Sequence, residues 1–264
     1  MVADTATSLR RGVDLLRTLQ SDEALAGGGL GVLRIAELAG LHKSQVSRTL
    51  KILGEYGLVD RDPETRAYRL GWALFALASR AGDTRLLVAG EPLLRQLVRT
   101  LDERSYLSVL RGAEVLTVIS ESPSHAIQAT GWAGQLVPAY CTSAGRALLL
   151  DHSRQDVLEL FADVELVRLG PNSPATPAEL YGRIEETREL GYALVDEEFE
   201  SGLVAAAAPV RDFRGRIVAA LNVSGPKFRL GARLEESGAA VAEAARSLSV
   251  LLGSEFAGVE ADAG

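Results

Sequence analysis

The sequence is poor in the residues that build disulfides, metal sites and membrane spans. It has one cysteine and three histidines, and the histidines show none of the spacings HxH, HxxxH or HExxH. One cysteine cannot close an internal disulfide or build a metal site by itself. No apolar run approaches the roughly 20 residues of a membrane span, and residues 1–8 lack the pattern of a secretory signal. We therefore expect a cytoplasmic protein with no metal, no cofactor and no membrane partner.

Acidic residues outnumber basic ones, but unevenly along the chain. The net charge is −7. Residues 1–80 carry eleven Lys/Arg and nine Asp/Glu, whereas residues 81–264 carry seventeen and twenty-six. Residues 43–51 contain three basic side chains and no acidic one. An acidic body with a locally basic head is typical of a protein that touches phosphates at one end only.

The order of elements in the first third predicts a winged helix-turn-helix. Apolar spacing predicts a helix over residues 8–20, with Ser8 as its N-cap, a flexible glycine loop over 24–31 and a short helix over 33–40. A longer helix over 43–56 ends at Gly57, and residues 58–70 form a hairpin around the turn at 62–65. The glycine loop is not followed by the G-x-x-x-x-G-K-[ST] pattern of a phosphate cradle.

The remainder predicts an α+β sensor domain. An apolar helical segment over 71–80 is expected to pack on the same helix of a second subunit. Helices are expected over 85–101, 143–150, 155–160, 177–190 and 234–252. Strands are expected over 105–110, 114–120, 192–195, 203–210 and 217–223, mainly joined as hairpins, with an irregular stretch over 125–137. Two domains fit the length of 264 residues.

The helix over 43–56 carries the pattern of a DNA-recognition helix. Its apolar stripe is Val46, Leu50, Ile52 or Leu53, and Tyr56. A recognition helix needs polar or basic side chains on its exposed face near its N-terminus. The residues expected to contact DNA are Lys43, Ser44, Gln45, Ser47, Arg48 and Lys51 on this helix, Arg61, Arg66 and Arg69 on the wing, and Arg10 and Arg11 on the first helix.

Within this set the expected roles differ. Gln45 suits adenine and Arg48 suits guanine, whereas Lys43, Ser44 and Lys51 suit phosphates. The wing arginines suit the DNA backbone or the minor groove. Taken singly, each of these residues is better explained as a solvated surface charge. Together, a short helix, a glycine turn, a basic polar helix and a basic hairpin favour DNA binding.

Two other functions compete with this interpretation. An enzyme could use Ser143 or Cys141 as nucleophile, with His125 or His152 as base, but the G-x-S-x-G elbow is absent. A ligand sensor could also bind protein, and not DNA, through its head. That alternative predicts no salt-dependent binding to duplex DNA.

Three separated stretches resemble the IclR family of bacterial transcriptional regulators, and together the resemblance extends over residues 8–253. They are residues 34–62 (helix pair and wing), 138–150 (pocket loop and helix) and 191–226 (C-terminal signature). The resemblance implies a winged helix-turn-helix at 8–70, a linker helix at 71–82 and a GAF-like effector domain at 83–253. It also implies a dimer, or a dimer of dimers, on a palindromic operator, and an effector that is a carboxylic acid or an aromatic compound.

The turn at residues 142–145 is the first part of the expected effector pocket. A Thr/Ser-rich turn into a helix offers unpaired N–H groups and a positive dipole end to a carboxylate; a simple N-cap is compatible with this. The family's pocket residues match here at Ser143 and Ala144, next to Thr142.

The C-terminal signature supplies the rest of the expected pocket. Its residues are Val195, Asp196, Leu203, Ala205, Asn222 and Ser224. Val195 stands where relatives often have a further acid, and Ala205 stands where some have a cysteine. Asn222 replaces a more usual serine. These departures predict a larger, partly apolar effector that carries one carboxylate or carbonyl.

Apolar lining is expected from Trp132 and Tyr140, and Trp132 lies in a glycine-punctuated loop. Further possible lining residues are Leu107, Val109, Leu116, Val118 and Ile127, and for those that lie on strands the better interpretation is generic core.

Overall fold

The computed structural model describes residues 2–78, 84–123 and 133–253. These fall into two compact units, Met1–Thr84 and Arg85–Gly264. None of the described helices combines the length and apolar character needed to cross a membrane.

The first unit is a winged helix-turn-helix, as predicted. Its elements are α1 (Val2–Thr18), α2 (Asp22–Ala26), α3 (Val32–Leu38), α4 (Lys43–Glu55), β1 (Val59–Arg61), β2 (Tyr68–Leu70) and α5 (Trp72–Ala78). Strands β1 and β2 pair antiparallel, and Leu30 adds one bridge to Tyr68. The α3–turn–α4 pair and the hairpin that follows it are the helix-turn-helix and its wing.

A small apolar core holds these helices together. Leu15 of α1, Ile35 of α3 and both Val46 and Leu50 of α4 are fully buried. Leu53 completes the α4 stripe, because residues four and seven positions apart share one helical face. Of the two expected alternatives Ile52 and Leu53, the buried residue is Leu53; Tyr56 is exposed, so that part of the prediction was wrong.

Two local predictions in this unit were also wrong. Helix α1 begins at Val2, so Ser8 lies inside it and is not its N-cap. Part of the expected glycine loop is α2, whose Ser21 cap accepts from the backbone N–H of Ala24. Five residues are too few to show a helical apolar period, and for that reason the helix is invisible in the sequence.

The second unit is built on one six-stranded antiparallel sheet, in the order β5-β4-β3-β8-β7-β6. The strands are β3 (Arg104–Arg111), β4 (Glu114–Glu121), β5 (Leu136–Pro138), β6 (Ala193–Asp196), β7 (Leu203–Arg211) and β8 (Ile217–Pro226). The helices are α6 (Thr84–Leu101), α7 (Ser143–Leu148), α8 (Arg154–Leu160), α9 (Pro177–Leu190), α10 (Lys227–Leu230) and α11 (Leu234–Leu251), with a 3-10 turn at Gly231–Arg233.

Each face of this sheet has its own core. On one face α6 and α11 pack through residues such as Leu94 and Leu248 against Leu107 and Leu221. On the other face α7, α8 and α9 pack on residues that include Ala207 and Ala220. The predicted elements are present within a few residues of their expected limits, and β5 and α10 were not anticipated. Both are short, and β5 is an edge strand that ends at Pro138.

Candidate DNA-binding surface and effector cavity

Helix α4 presents a polar, basic face to solvent. Lys43, Ser44, Ser47, Arg48 and Lys51 are exposed, and Gln45 is half-buried. The buried Val46 and Leu50 face the opposite side of the same helix. Arg48 Nε donates to the Ser44 carbonyl over 3.3 Å, which keeps the guanidinium along the N-terminal half of α4. The N-terminal half of α4 therefore carries basic and polar side chains and no acidic one.

The wing carries three exposed arginines. Its turn is held by the Asp62 carboxylate, which accepts from the backbone N–H of Thr65 over 2.7 Å and of Glu64 over 2.9 Å. These hydrogen bonds hold the pKa of Asp62 below its ordinary value. Arg66 lies in this turn with a φ of 59°, and Arg61 stacks on the Tyr68 ring at 5.3 Å.

The remaining basic residues of the expected DNA-contact set lie on β2 and α1 of the same unit. Arg69 on β2 and Arg10 on α1 are exposed, and Arg11 is half-buried. The described part of the first unit therefore offers basic side chains on α1, α4 and the wing.

A cavity of about 560 Å³ opens on the sheet of the second unit. Strands β3, β4, β6, β7 and β8 and the start of α7 contribute to its wall. Eight of the residues expected to bind the effector line it: Thr142, Ser143, Ala144, Val195, Leu203, Ala205, Asn222 and Ser224.

The first turn of α7 forms one wall of the cavity. Thr142 caps the helix: its Oγ1 accepts from the N–H of Gly145 over 3.2 Å and donates to the Pro138 carbonyl over 3.1 Å. The N–H groups of Ser143 and Ala144 open the helix, where no carbonyl of the helix itself can accept from them. Gly145 brings α7 against the chain, since a Cβ there would lie 2.1 Å from the Ala139 carbonyl oxygen.

Two side-chain pairs join β3 to β8 along the sheet wall. Ser108 Oγ donates to Asn222 Oδ1, and Ser224 Oγ donates to the Tyr106 hydroxyl, both over 3.3 Å. Burial raises the pKa of Tyr106, so its phenol stays protonated at neutral pH. The polar groups of the cavity are thus held in a row by neighbours on the adjacent strand.

On β3 and β4, the side chains that line the cavity lie on the strand face opposite to that of the apolar candidates expected from the sequence. Tyr106, Ser108, Val115 and Thr117 line it, whereas Leu107 lies in the core under α6 and α11. Val109 and Val118 pack against that same core, and Leu116 does not line the cavity. Because side chains alternate along a strand, a shift of one residue changes the face. The polar residues of β3 could have been found by pairing them with Asn222 and Ser224.

Two further expected residues do not line the cavity. Tyr140 is buried in the core, where its hydroxyl donates to the Val167 carbonyl over 2.7 Å. Asp196 is exposed and forms an ion pair with Lys227 over 2.8 Å. Trp132 lies outside the described residues, as do His125 and Ile127.

Cys141 lines the cavity as an inert thiol. Burial, reinforced by the nearby Glu198 carboxylate, raises its pKa to about 12. The thiol is therefore protonated at neutral pH, which is the unreactive form. Among the described residues, no group of three or more His, Cys, Asp or Glu is arranged to hold a metal ion.

A charged pair lies at the end of the cavity near β3 and α10. Arg229 binds the buried Glu103 carboxylate through two hydrogen bonds of 2.7 Å. Gly225 makes room for this carboxylate, because a Cβ there would lie 2.6 Å from Glu103 Cδ. Glu103, Arg229 and Gly225 all line the cavity, and the sequence alone pointed to none of them.

Family models match nearly all of the chain in two parts. Residues 8–63 match the IclR helix-turn-helix domain, and residues 80–250 match the bacterial transcriptional regulator IclR C-terminal domain. The chain belongs to the IclR family. It is a ligand-responsive, DNA-binding transcriptional regulator of the IclR type.

Relatives of known role support the same assignment to the IclR family. The HTH-type transcriptional regulator BhcR of Paracoccus denitrificans is 32% identical over 92% of this chain and 86% of its own length. The HTH-type transcriptional repressor AllR of Klebsiella pneumoniae is 28% identical over 94% of this chain and 90% of its own.

A solved structure agrees in fold over almost the full length. An IclR homolog from Microbacterium hydrocarbonoxydans, crystallised with 4-hydroxybenzoate, matches with a TM-score of 0.80 and 25% identity. The match covers 93% of this chain and 98% of that one. The winged helix-turn-helix followed by an antiparallel-sheet effector domain is therefore the shared IclR architecture.

Proposed function

We propose that a partly apolar carboxylic acid, aromatic acids included, binds in the cavity and controls operator affinity or oligomeric arrangement. The observation that carries this proposal is a single cavity that combines the N-terminus of α7 with a polar row and apolar walls. The effector contacts in this proposal are Thr142, Ser143, Ala144, Asn222 and Ser224.

The size and chemistry of the cavity favour an effector of this class. A volume of about 560 Å³ is in the range of sites for drug-sized ligands and far exceeds a two- or three-carbon acid. The N–H groups of Ser143 and Ala144 and the dipole of α7 suit a carboxylate. Val195, Leu203 and Ala205 offer apolar contact to the rest of the molecule. The structural relative bound to 4-hydroxybenzoate supports the same class.

Calorimetric titration of the full-length protein tests the effector class. We expect 4-hydroxybenzoate to bind and glyoxylate and pyruvate to bind weakly or not at all, because the small acids leave the apolar walls unfilled. Tight binding of glyoxylate or pyruvate, with no binding of aromatic acids, would show that the proposed class is wrong.

We propose that α4 reads the major groove of a palindromic operator, with Gln45 and Arg48 on base edges and Lys43, Ser44, Ser47 and Lys51 on or near phosphates. The wing arginines Arg61, Arg66 and Arg69, with Arg10 and Arg11, would contact the flanking backbone. The support is the exposed, acid-free face of α4 beside a basic wing. Basic contacts to phosphate make binding weaken as salt rises.

A gel-shift titration with Arg48→Ala tests the interpretation of α4. If Arg48 binds a base edge, its loss should cost about 1–3 kcal/mol of operator affinity. Arg246→Ala, a surface residue of α11, serves as the control and should leave affinity unchanged. Unchanged affinity of Arg48→Ala would remove that residue from the base-reading set. Duplex binding that does not depend on salt would favour a head that binds protein.

We propose that the chain works as a homodimer, or a dimer of dimers, that uses the linker region 71–82. The support is α5, whose Trp72, Phe75 and Leu77 side chains are each more than 60% exposed. Exposed apolar clusters of this kind mark association surfaces. Sedimentation of Phe75→Glu should show more monomer than wild type, and Phe228→Glu in α10 should not. Equal monomer fractions would contradict the proposal.

A further inference from the structure

Phe199 lines the cavity from the loop that joins β6 to β7. It is half-buried and lies between the buried Glu198 and the exposed Glu200. The sequence patterns did not single it out. The six-residue loop around it is held by charged contacts and by backbone hydrogen bonds.

On one side of Phe199, Glu198 fixes the chain. Its carboxylate accepts from Arg146 Nη2 over 2.5 and 2.6 Å and from Arg183 Nη1 over 2.9 Å. Its carbonyl oxygen accepts from the Gly170 N–H over 3.1 Å and from the Ser173 hydroxyl. Glu198 is only 5% exposed, so these charged contacts lie inside the protein.

The ends of the same loop are tied to each other. Glu197 has a left-handed φ of 54°, and its N–H donates to the Leu203 carbonyl over 2.9 Å. The Glu197 carboxylate accepts from the Gly202 N–H over 2.7 Å and from Lys227 Nζ over 2.9 Å. Lys227 also donates its backbone N–H to the Gly202 carbonyl over 2.7 Å. The loop is thereby closed on itself and fastened to the start of α10.

These features are costly, and together they hold the backbone beside Phe199, whose side chain packs against the core under α7, α8 and α9. A left-handed residue other than glycine is strained, and a buried carboxylate needs partners to offset its desolvation. Such strain persists where the surrounding structure enforces it, and it clusters at ligand-binding sites. A wall that is rigid before the ligand arrives does not lose side-chain freedom on binding.

We propose that Phe199 is a preformed aromatic wall that makes the regulator select planar aromatic acids over aliphatic acids of the same size and charge. This rests on the proposed function of the cavity and narrows its effector class. Aromatic rings in contact gain free energy beyond the area that they bury, through edge-to-face or offset stacking. A leucine in this place keeps apolar contact but loses that gain.

Titration of the full-length protein with benzoate and cyclohexanecarboxylate tests the proposal. The two acids share the carboxylate and the six-membered ring, and only benzoate is flat and aromatic. We expect wild type to prefer benzoate roughly three- to tenfold. In Phe199→Leu the preference disappears because benzoate binds more weakly, while cyclohexanecarboxylate affinity is unchanged. Phe199→Tyr keeps the preference, and Phe213→Leu, at an exposed hairpin, is the matched control.

The outcomes separate this proposal from the one it rests on. If Phe199→Leu weakens both acids by the same factor, or keeps the preference, Phe199 is a structural residue and the proposal is overturned. Equal binding of both acids by wild type overturns the proposal alone and leaves the carboxylic-acid class standing. If wild type binds neither acid, the proposed effector class is wrong, and the proposed role of Phe199 in selecting aromatic acids is wrong as well.

Discussion

Replacing Gly145 by alanine should displace α7, lower the stability of the second unit and weaken effector binding in the cavity. The new Cβ would lie 2.1 Å from the Ala139 carbonyl oxygen and 2.5 Å from Ala139 Cα. The first contact is about 1.3 Å shorter than the shortest ordinary van der Waals contact, and both atoms belong to the backbone. Only a movement of α7 relieves it. Overpacking of this kind costs about 3 kcal/mol, and the better helix propensity of alanine returns about 1 kcal/mol.

Calorimetric melting of the full-length protein measures the difference. A net loss of about 2 kcal/mol in a unit of this size lowers Tm by about 4–8 °C. Because Ser143 and Ala144 belong to α7 and move with it, effector binding should weaken as well. Gly182→Ala is the matched control: it lies within α9 with no neighbour within 4 Å of the added Cβ, and should stabilise by about 0.5–1 kcal/mol. A Gly145→Ala protein as stable as wild type would refute this account of how α7 is seated.

Two further predictions follow from the cavity wall. Because the pKa of Cys141 is raised to about 12, the thiol should react with a disulfide reagent at pH 8 far more slowly in the folded protein than after unfolding; fast reaction in the folded state would contradict its burial. Arg229→Met should lower stability by about 2–4 kcal/mol in thermal melts, because it leaves the buried Glu103 carboxylate unpaired. Arg233→Met removes an exposed pair and should change little; equal effects of the two would contradict this assignment.

The sequence predicts the elements well where their apolar period is long. Helix α9 begins and ends at the expected residues, and Gly191 ends it with a φ of 82°. The apolar period does not reveal α2, which has five residues, or β5, which has three, because neither is long enough to show one. It also leaves Ile52 and Leu53 as alternatives on α4, and only the packing of α4 on α1 and α3 decides between them.

The cavity was only partly predictable, for a physical reason. Residues 142–144 and the positions on β6, β7 and β8 come from continuous stretches, and all of these expected residues except Asp196 line the cavity. Tyr106, Ser108 and Thr117 enter only through the register of β3 with β4 and β8, which no local pattern gives. Glu103 and Arg229 are 126 residues apart in sequence, so their pairing is a product of the tertiary fold.

We propose that occupation of this cavity changes how the winged helix-turn-helix unit binds DNA. Ala205 lines the cavity on β7, so the phenyl ring of Ala205→Phe would occupy part of the space that the effector needs. The decisive measurement is operator affinity with and without saturating 4-hydroxybenzoate, for wild type and for Ala205→Phe. We expect the operator affinity of wild type to change with the acid, whereas Ala205→Phe binds the operator as tightly as wild type without acid and does not respond to the acid. An Ala205→Phe protein that responds as wild type does would contradict it.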